Sequence, residues 1–203
     1  MSTTRSHSGS LLPSYFEAKY QVDIDPWQFR TSAYERDKFQ ATLEAFTRPR
    51  YQSGLEVGCA IGVLSAMIAP RCEYLVAVDG SSTAIREASQ QRLPNVRFLR
   101  AFLPDEFPGG FFDIIVLSEV LYYFSEKDLQ TLAEKCMASL RPTAEMILCH
   151  WLGETDYPLT GRQASDLFAQ TVARRRPERA ILHEGIYRLE RLTFARSNAG
   201  DAE

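Results

Sequence analysis

The sequence predicts an α/β domain built on a mostly parallel sheet with helices on both faces, and three observations carry that prediction. From Gly54 onward, short apolar runs alternate with longer helical patterns, the signature of β-α units. The first run closes on a glycine-bearing turn, Gly54-Leu55-Glu56-Val57-Gly58-Cys59-Ala60-Ile61-Gly62. The second run ends in an acidic residue, Asp79, about twenty residues further on.

Taken in order, the strands are expected at Leu55 to Cys59, Tyr74 to Val78, Val96 to Ala101, Phe112 to Leu117 and Ala144 to Cys149. Their near-continuous Val, Ile and Leu content suits strands buried on both faces. Helices are expected at Val63 to Ala69 and at Ser82 to Arg92, the latter capped by Ser81 or Ser82. Between the fourth and fifth strands, Ser125 precedes an acidic first turn. Leu129, Leu132, Ala133, Cys136 and Leu140 then recur at helical spacing, and Pro142 is expected to stop that helix. A polar helix follows at Arg162 to Ala173. Arg179 to Glu184 and Tyr187 to Arg196 form two strands across a turn at Gly185, a hairpin added to the parallel sheet. Upstream, Ala33 to Phe46 is a helix with Tyr34, Phe39, Leu43 and Phe46 on or near one face, ended by Pro49.

At 203 residues, with 45% apolar and 24% charged residues, the chain suits one domain with a sizeable core. The expected boundaries are a flexible tail at 1–12, a single domain at 13–196 with a helical cap over about 13–48, and a flexible tail at 197–203. A formal net charge of -3 gives no attraction to phosphate backbones or anionic lipid, so neither nucleic acid nor membrane is expected as a partner. The basic cluster Arg174-Arg175-Arg176 reads as a solvated helix end. Cys59, Cys72, Cys136 and Cys149 show no C-x-x-C pair and read as buried thiols in a reducing compartment, with no metal implied. Nothing near the N-terminus resembles a signal peptide, and the expected location is the cytoplasm.

A tight glycine turn at the carboxyl end of the first strand would let backbone approach a ligand that a Cβ would exclude, and Gly58 and Gly62 are expected to fill that role. The spacing E-x-G-x-x-x-G lacks the third glycine of the dinucleotide fingerprint G-x-G-x-x-G, which sets a pyrophosphate on a helix amino terminus. A nucleoside cofactor without phosphate, S-adenosylmethionine, fits better, with Asp79 accepting hydrogen bonds from the ribose hydroxyls. Glu56, Gly58, Cys59 and Gly62 would line the cofactor after the first strand, and Asp79, Gly80 and Ser81 after the second. Ala101 and Phe102 would border the adenine after the third, although Phe102 reads equally as a core aromatic. Ser118 and Glu119 would line the same edge after the fourth.

With these pieces in place the chain resembles the class I methyltransferases, which implies a three-layer, Rossmann-like sheet, mostly parallel with one antiparallel C-terminal strand. More narrowly, Trp27-Gln28-Phe29-Arg30-Thr31-Ser32-Ala33-Tyr34-Glu35, Leu55-Glu56-Val57-Gly58-Cys59, Leu117-Ser118-Glu119-Val120-Leu121-Tyr122-Tyr123 and Cys149-His150-Trp151 resemble the NodS family of nodulation methyltransferases. The similarity runs from about Tyr15 to Arg196. It implies N-methylation of the free amine at the non-reducing end of a de-N-acetylated chitooligosaccharide during Nod factor biosynthesis, with S-adenosyl-L-homocysteine as the spent cofactor. One departure is Arg141-Pro142-Thr143-Ala144, where class I members commonly have Pro-Gly-Gly before the fifth strand.

Methyl transfer to an amine is an in-line displacement, so most catalysis can come from holding the reacting atoms collinear. The amine must be neutral when it attacks, and a base within reach would help. Glu119 and His150 are the two candidates at the correct edge; each also has a structural reading, as a capping carboxylate and a hydrogen-bonded edge residue. Tyr122, Tyr123, Trp151 and Tyr157 could stack on pyranose rings or simply pack. Trp27 belongs to the block expected to fold over the glycine turn. From that block Arg30 could pair with the methionyl carboxylate, and Tyr34 would lie against cofactor or amine. Two other functions compete: a methyltransferase for another small amine or hydroxyl, and a non-catalytic domain that binds S-adenosylmethionine. The site crowded with Glu119, His150 and aromatics disfavours the second.

Overall fold

The computed structural model describes residues 9–195. Two helices, α1 (Pro13–Val22) and α2 (Ala33–Glu44), precede β1 (Tyr51–Val57), α3 (Val63–Ile68), β2 (Cys72–Asp79), α4 (Ser82–Ser89) and β3 (Val96–Arg100). There follow β4 (Phe112–Ser118), α5 (Glu126–Ala138), β5 (Leu140–Trp151), α6 (Gly161–Val172), β6 (Glu178–Glu184) and β7 (Tyr187–Thr193). The strands form one seven-stranded sheet in the order β3-β2-β1-β4-β5-β7-β6. Strands β1 to β5 pair in parallel, β7 is antiparallel to β5, and β6 is antiparallel to β7 and so runs with the first five. The fold is the class I methyltransferase sheet with one reversed strand.

The central strands are buried throughout, β4 at all seven positions, because helices cover both faces. One core packs α5 and α6 against the sheet through Leu129, Leu132, Cys136, Phe168 and Val172. The other packs α2 and α3 against the opposite face through Phe39, Leu43, Leu64 and Ile68. The four cysteines are free and buried, and no described helix is long and apolar enough to cross a membrane.

Several local expectations are corrected. β1 runs from Tyr51 to Val57 instead of the expected Leu55 to Cys59, so Gly54 lies inside the strand and not before it; a Cβ there would sit 2.9 Å from Cys72 Sγ and 3.1 Å from Leu75. Pro142 does not stop α5, which ends at Ala138, but lies within β5. It is tolerated there because the β4–β5 register shifts between Phe112 and Ile114, and Thr143 turns with φ 65°. The helical cap contains a separate helix, α1, starting at a proline in its first turn. Of the tail expected at 1–12, Ser10 and Leu11 are buried. Leu11 N–H donates to the Tyr123 carbonyl at 2.9 Å, and the Ser10 hydroxyl donates to Asp128. The tail expected at 197–203 lies outside the described residues. In the terminal hairpin β7 takes the inner place beside β5, because its side chains are largely buried while those of β6 face solvent.

Candidate active site

The chain order reverses between β1 and β4, and a cleft of about 340 Å³ opens there, outside the carboxyl ends of the strands. Its size suits a small-molecule site. Strand-end loops form its floor, and α1 and α2 form its roof.

At one end, the turn after β1 is tied to β2: the N–H groups of Gly58 and Cys59 both donate to the Val78 carbonyl at 2.9 Å. Gly58 and Gly62 have φ of 76° and 80°, the left-handed region that favours glycine. The expectation that a ligand fills the space of their missing Cβ atoms is corrected. A Cβ on Gly58 would lie 3.0 Å from Val120, and one on Gly62 would lie 3.0 Å from Ala88 and 3.2 Å from Phe98. The protein itself fills both spaces, and Gly62 does not line the cleft.

Asp79 does line the cleft. Its Oδ2 accepts the Ala60 N–H at 3.0 Å and its Oδ1 the Ser81 N–H at 2.8 Å, while burial pushes its pKa up to about 6. Glu56 lines the cleft but is buried, accepting from the Ser65 hydroxyl at 2.5 Å, and burial raises its pKa to about 8. Cys59, Gly80, Ala101 and Phe102 also line this end. Ser118 lines it too, with a buried Oγ that has no hydrogen-bond partner.

Besides Gly62, two expected cofactor contacts fall elsewhere. Ser81 is buried as the cap of α4, its hydroxyl accepting the Ala84 N–H at 3.1 Å and donating to Glu17 at 2.6 Å. Arg30 pairs with Glu87 at 2.5 Å and does not line the cleft, so its expected place beside a methionyl carboxylate is corrected.

At the other end, Glu119 adopts φ 54°, its N–H donating to the Cys149 carbonyl at 2.8 Å. Its Oε1 accepts Lys38 Nζ at 2.6 Å, and its Oε2 accepts the Tyr122 hydroxyl at 2.5 Å and the Trp151 N–H at 3.0 Å. Three donors, one of them the ion-paired Lys38, hold this carboxylate as an anchor, and the surroundings do not support the expected base role. Lys38 Nζ lies 2.9 Å from Glu35 and 5.0 Å from the centroid of the Tyr34 ring. Tyr34, Glu35 and Lys38 all line the cleft from α2. Around them Tyr122 stacks on Tyr157 at 5.3 Å and meets the edge of Tyr123 at 4.7 Å, and Trp151 stands half-exposed at the rim. Trp27 lines the roof, stacked on Phe29 at 5.8 Å.

His150 is corrected most clearly. It is fully buried and does not line the cleft; its Nε2 accepts the Leu121 N–H at 3.1 Å, which leaves Nδ1 to donate to Ser165 Oγ at 3.3 Å. Burial lowers its pKa to about 4. The imidazole therefore bridges the loop after β4 to α6 and stays neutral. Because the unfolded chain protonates near pH 6.5 and the folded one only near 4, this group's contribution is fully present above 6.5 and is lost as pH falls to 4. The stability difference between wild type and His150→Gln should accordingly shrink by up to about 3 kcal/mol between pH 7 and 4. Urea melts at four pH values check this, and a difference independent of pH would refute it.

Sequence reasoning missed Glu35 and Lys38 as site residues. Their i,i+3 spacing on a helix was visible, but it reads equally as a solvated surface pair. It also missed Leu11, Phe16 and Tyr20, which reach the cleft from the N-terminal segment.

With the geometry in place, comparison with known proteins gives a consistent result. The family profile described as Nodulation protein S (NodS) matches residues 14–152. Nodulation protein S of Bradyrhizobium diazoefficiens is 34% identical over 113 residues, covering 54% of this chain; the chain spans only 54% of that relative's length. A crystal structure of a proposed methyltransferase from Pseudomonas syringae is 35% identical, with a TM-score of 0.70, covering 80% of this chain and 99% of that one. The N-methyltransferase NodS from Bradyrhizobium japonicum WM9, solved with S-adenosyl-L-homocysteine, superposes with a TM-score of 0.72 at 20% identity, covering 88% and 97% of the two chains. At that identity the likeness concerns the fold.

Proposed function

The chain belongs to the nodulation protein S (NodS) family, and from that premise we propose that it is a cytoplasmic S-adenosylmethionine-dependent N-methyltransferase. Its acceptor, in this proposal, is the free amine at the non-reducing end of a de-N-acetylated chitooligosaccharide. The observation that carries the proposal is one cleft with two chemically distinct ends: Asp79 and a β-strand-end turn at one, and acidic groups set among aromatic rings at the other.

The first end fits the cofactor. Asp79 already accepts two backbone N–H groups, yet each oxygen keeps a lone pair for a ribose hydroxyl. Ala101 and Phe102 would border the adenine, and the unpartnered Ser118 Oγ is a buried polar atom that the methionyl portion would satisfy. When bound, the cofactor supplies an electrophilic methyl group on a sulfonium. The chain's own residues bind it, exclude water and present the acceptor.

The second end suits an amino sugar. Tyr122, Tyr123, Tyr157 and Trp151 offer ring faces with polar tips, and Glu35 and Glu119 together outweigh the single ammonium of Lys38. A cationic amine is attracted to such a site.

Incubation with labelled S-adenosylmethionine and chitooligosaccharides tests this. Label is expected on the oligosaccharide deacetylated at its non-reducing end and not on the fully acetylated one. Label on neither, with turnover on another small amine, would retain the methyltransferase and overturn the acceptor.

A further inference from the structure

We propose that Glu35, rather than Glu119 or His150, is the group that takes the proton from the acceptor amine. The inference rests on the N-methyltransfer reading above and names the base within that site. His150 is sealed behind the β4 loop, and the Glu119 oxygens are occupied by Lys38, Tyr122 and the Trp151 backbone. Glu35 is bound more sparingly. It stands in the first turn of α2 and lines the cleft, and Lys38 Nζ lies 2.9 Å from each of its oxygens. Only Oε1 is aligned for a hydrogen bond; Oε2 is buried with no hydrogen-bond partner. A buried carboxylate oxygen that shares a neighbouring ammonium but has no aligned hydrogen bond can still accept one, and an ammonium arriving in the cleft can supply it.

The groups facing Glu35 are Lys38 and Tyr34 on α2, Glu119 on the loop after β4, and Asp25 on the segment between α1 and α2. Burial raises its proton affinity, Lys38 opposes that rise, and Glu119 and Asp25 add to it. A carboxylate so placed can accept a proton from the acceptor and pass it on to solvent. In the step itself an N–H bond of the ammonium breaks, its electron pair stays on nitrogen, and an O–H bond forms on Glu35. The freed lone pair makes the new N–C bond to the sulfonium methyl, and the C–S pair remains on sulfur. Glu35 then releases its proton before the next turnover.

The test is the pH profile of kcat/KM for wild type, Glu35→Gln and Glu35→Asp with the deacetylated acceptor, beside calorimetric acceptor binding at pH 6 with S-adenosylhomocysteine present. Wild type should give a bell, its acidic limb set by the base and its alkaline limb by the substrate amine. Glu35→Gln should replace the bell by a single rise toward the pKa of the amine, with turnover at neutral pH lowered by about 100-fold and acceptor binding weakened. S-adenosylhomocysteine affinity should be retained. Glu35→Asp should keep a bell whose acidic limb moves to lower pH, which also serves if Glu35→Gln does not fold. A Glu35→Gln bell parallel to wild type, or a Glu35→Asp limb that does not move, overturns the assignment. Absence of wild-type turnover on the deacetylated acceptor instead overturns the reading of function on which it rests.

Discussion

Replacing Lys38 by methionine should destabilise the fold by about 3 to 5 kcal/mol, the largest single effect expected in this chain. The ammonium is almost wholly buried between two carboxylates, 2.9 Å from Glu35 and 2.6 Å from Glu119, beneath the ring of Tyr34. Those carboxylates hold its proton tightly, so it stays charged despite its burial. Methionine fills a similar volume but leaves two negative groups facing each other with no counter-charge. Glu119 in turn anchors Tyr122 and the backbone of Trp151, so the loss spreads into both loops that wall the acceptor end.

The pH dependence of that loss has a definite sign. Burial already raises the proton affinity of Glu35 and Lys38 opposes that rise, so without Lys38 this carboxyl gains further affinity and the folded protein binds more protons than the unfolded one. Its stability then falls as pH rises. The deficit against wild type should be larger at pH 8 than at pH 5. For a domain of this size, the expected drop in Tm is roughly 6 to 20 °C, read by thermal melts at both pH values. The double variant Lys38→Met with Glu35→Gln should recover part of it, because one of the two opposed charges is gone. A Tm within about 2 °C of wild type would show that the cluster relaxes into solvent and is not a structural centre.

Asp79→Ala should weaken S-adenosylhomocysteine binding by about 100-fold, measured by calorimetry. Two charge-assisted hydrogen bonds to ribose hydroxyls contribute on the order of 3 kcal/mol together. The same replacement frees the Ala60 and Ser81 N–H groups that shape the two strand-end turns. Asp79→Asn separates the two contributions: it keeps the volume and one acceptor oxygen but turns a donor toward an N–H, and a loss of about tenfold is expected. Burial holds the wild-type carboxyl at a pKa of about 6. Affinity should therefore be level above pH 7 and decline through pH 6 as the carboxyl gains a proton and ceases to be a pure acceptor. An affinity unchanged between pH 7 and 5, or an Asp79→Ala protein binding within threefold of wild type, would remove Asp79 from the proposed cofactor contacts.

The two predictions fall on opposite ends of one cleft, and they differ in how far the sequence foretold them. Asp79 was legible because its position depends on local order: a buried apolar run of strand length, followed by a polar residue, lies at the carboxyl edge of a parallel sheet wherever β-α units repeat. Ser81 and Ser125 each cap the helix that follows for similarly local reasons. Lys38 was not legible. Its charge partner Glu119 lies 81 positions away, and only the packing of α2 across the ends of β4 and β5 brings them together. His150 shows the converse. Beside Trp151 at a strand end it has the sequence character of a site residue, yet alternate residues of a strand face opposite sides. Trp151 takes the rim and His150 points into the protein, toward Leu121 and Ser165.

By itself, the sequence determined the α/β class, the five parallel strands and the helices between them, the reversed strand near the C-terminus, and which strand ends border the cleft. These follow from apolar periodicity and capping chemistry, interactions within a few residues of chain. Only the tertiary structure decided that Val120, Ala88 and Phe98, rather than a ligand, take the space above the glycines, that Arg30 turns outward to Glu87, and that Lys38 locks Glu119 while leaving an oxygen of Glu35 without a hydrogen bond. Each of these depends on which distant groups burial forces together. A buried charge or an occupied volume is set by neighbours that the linear order of residues does not specify.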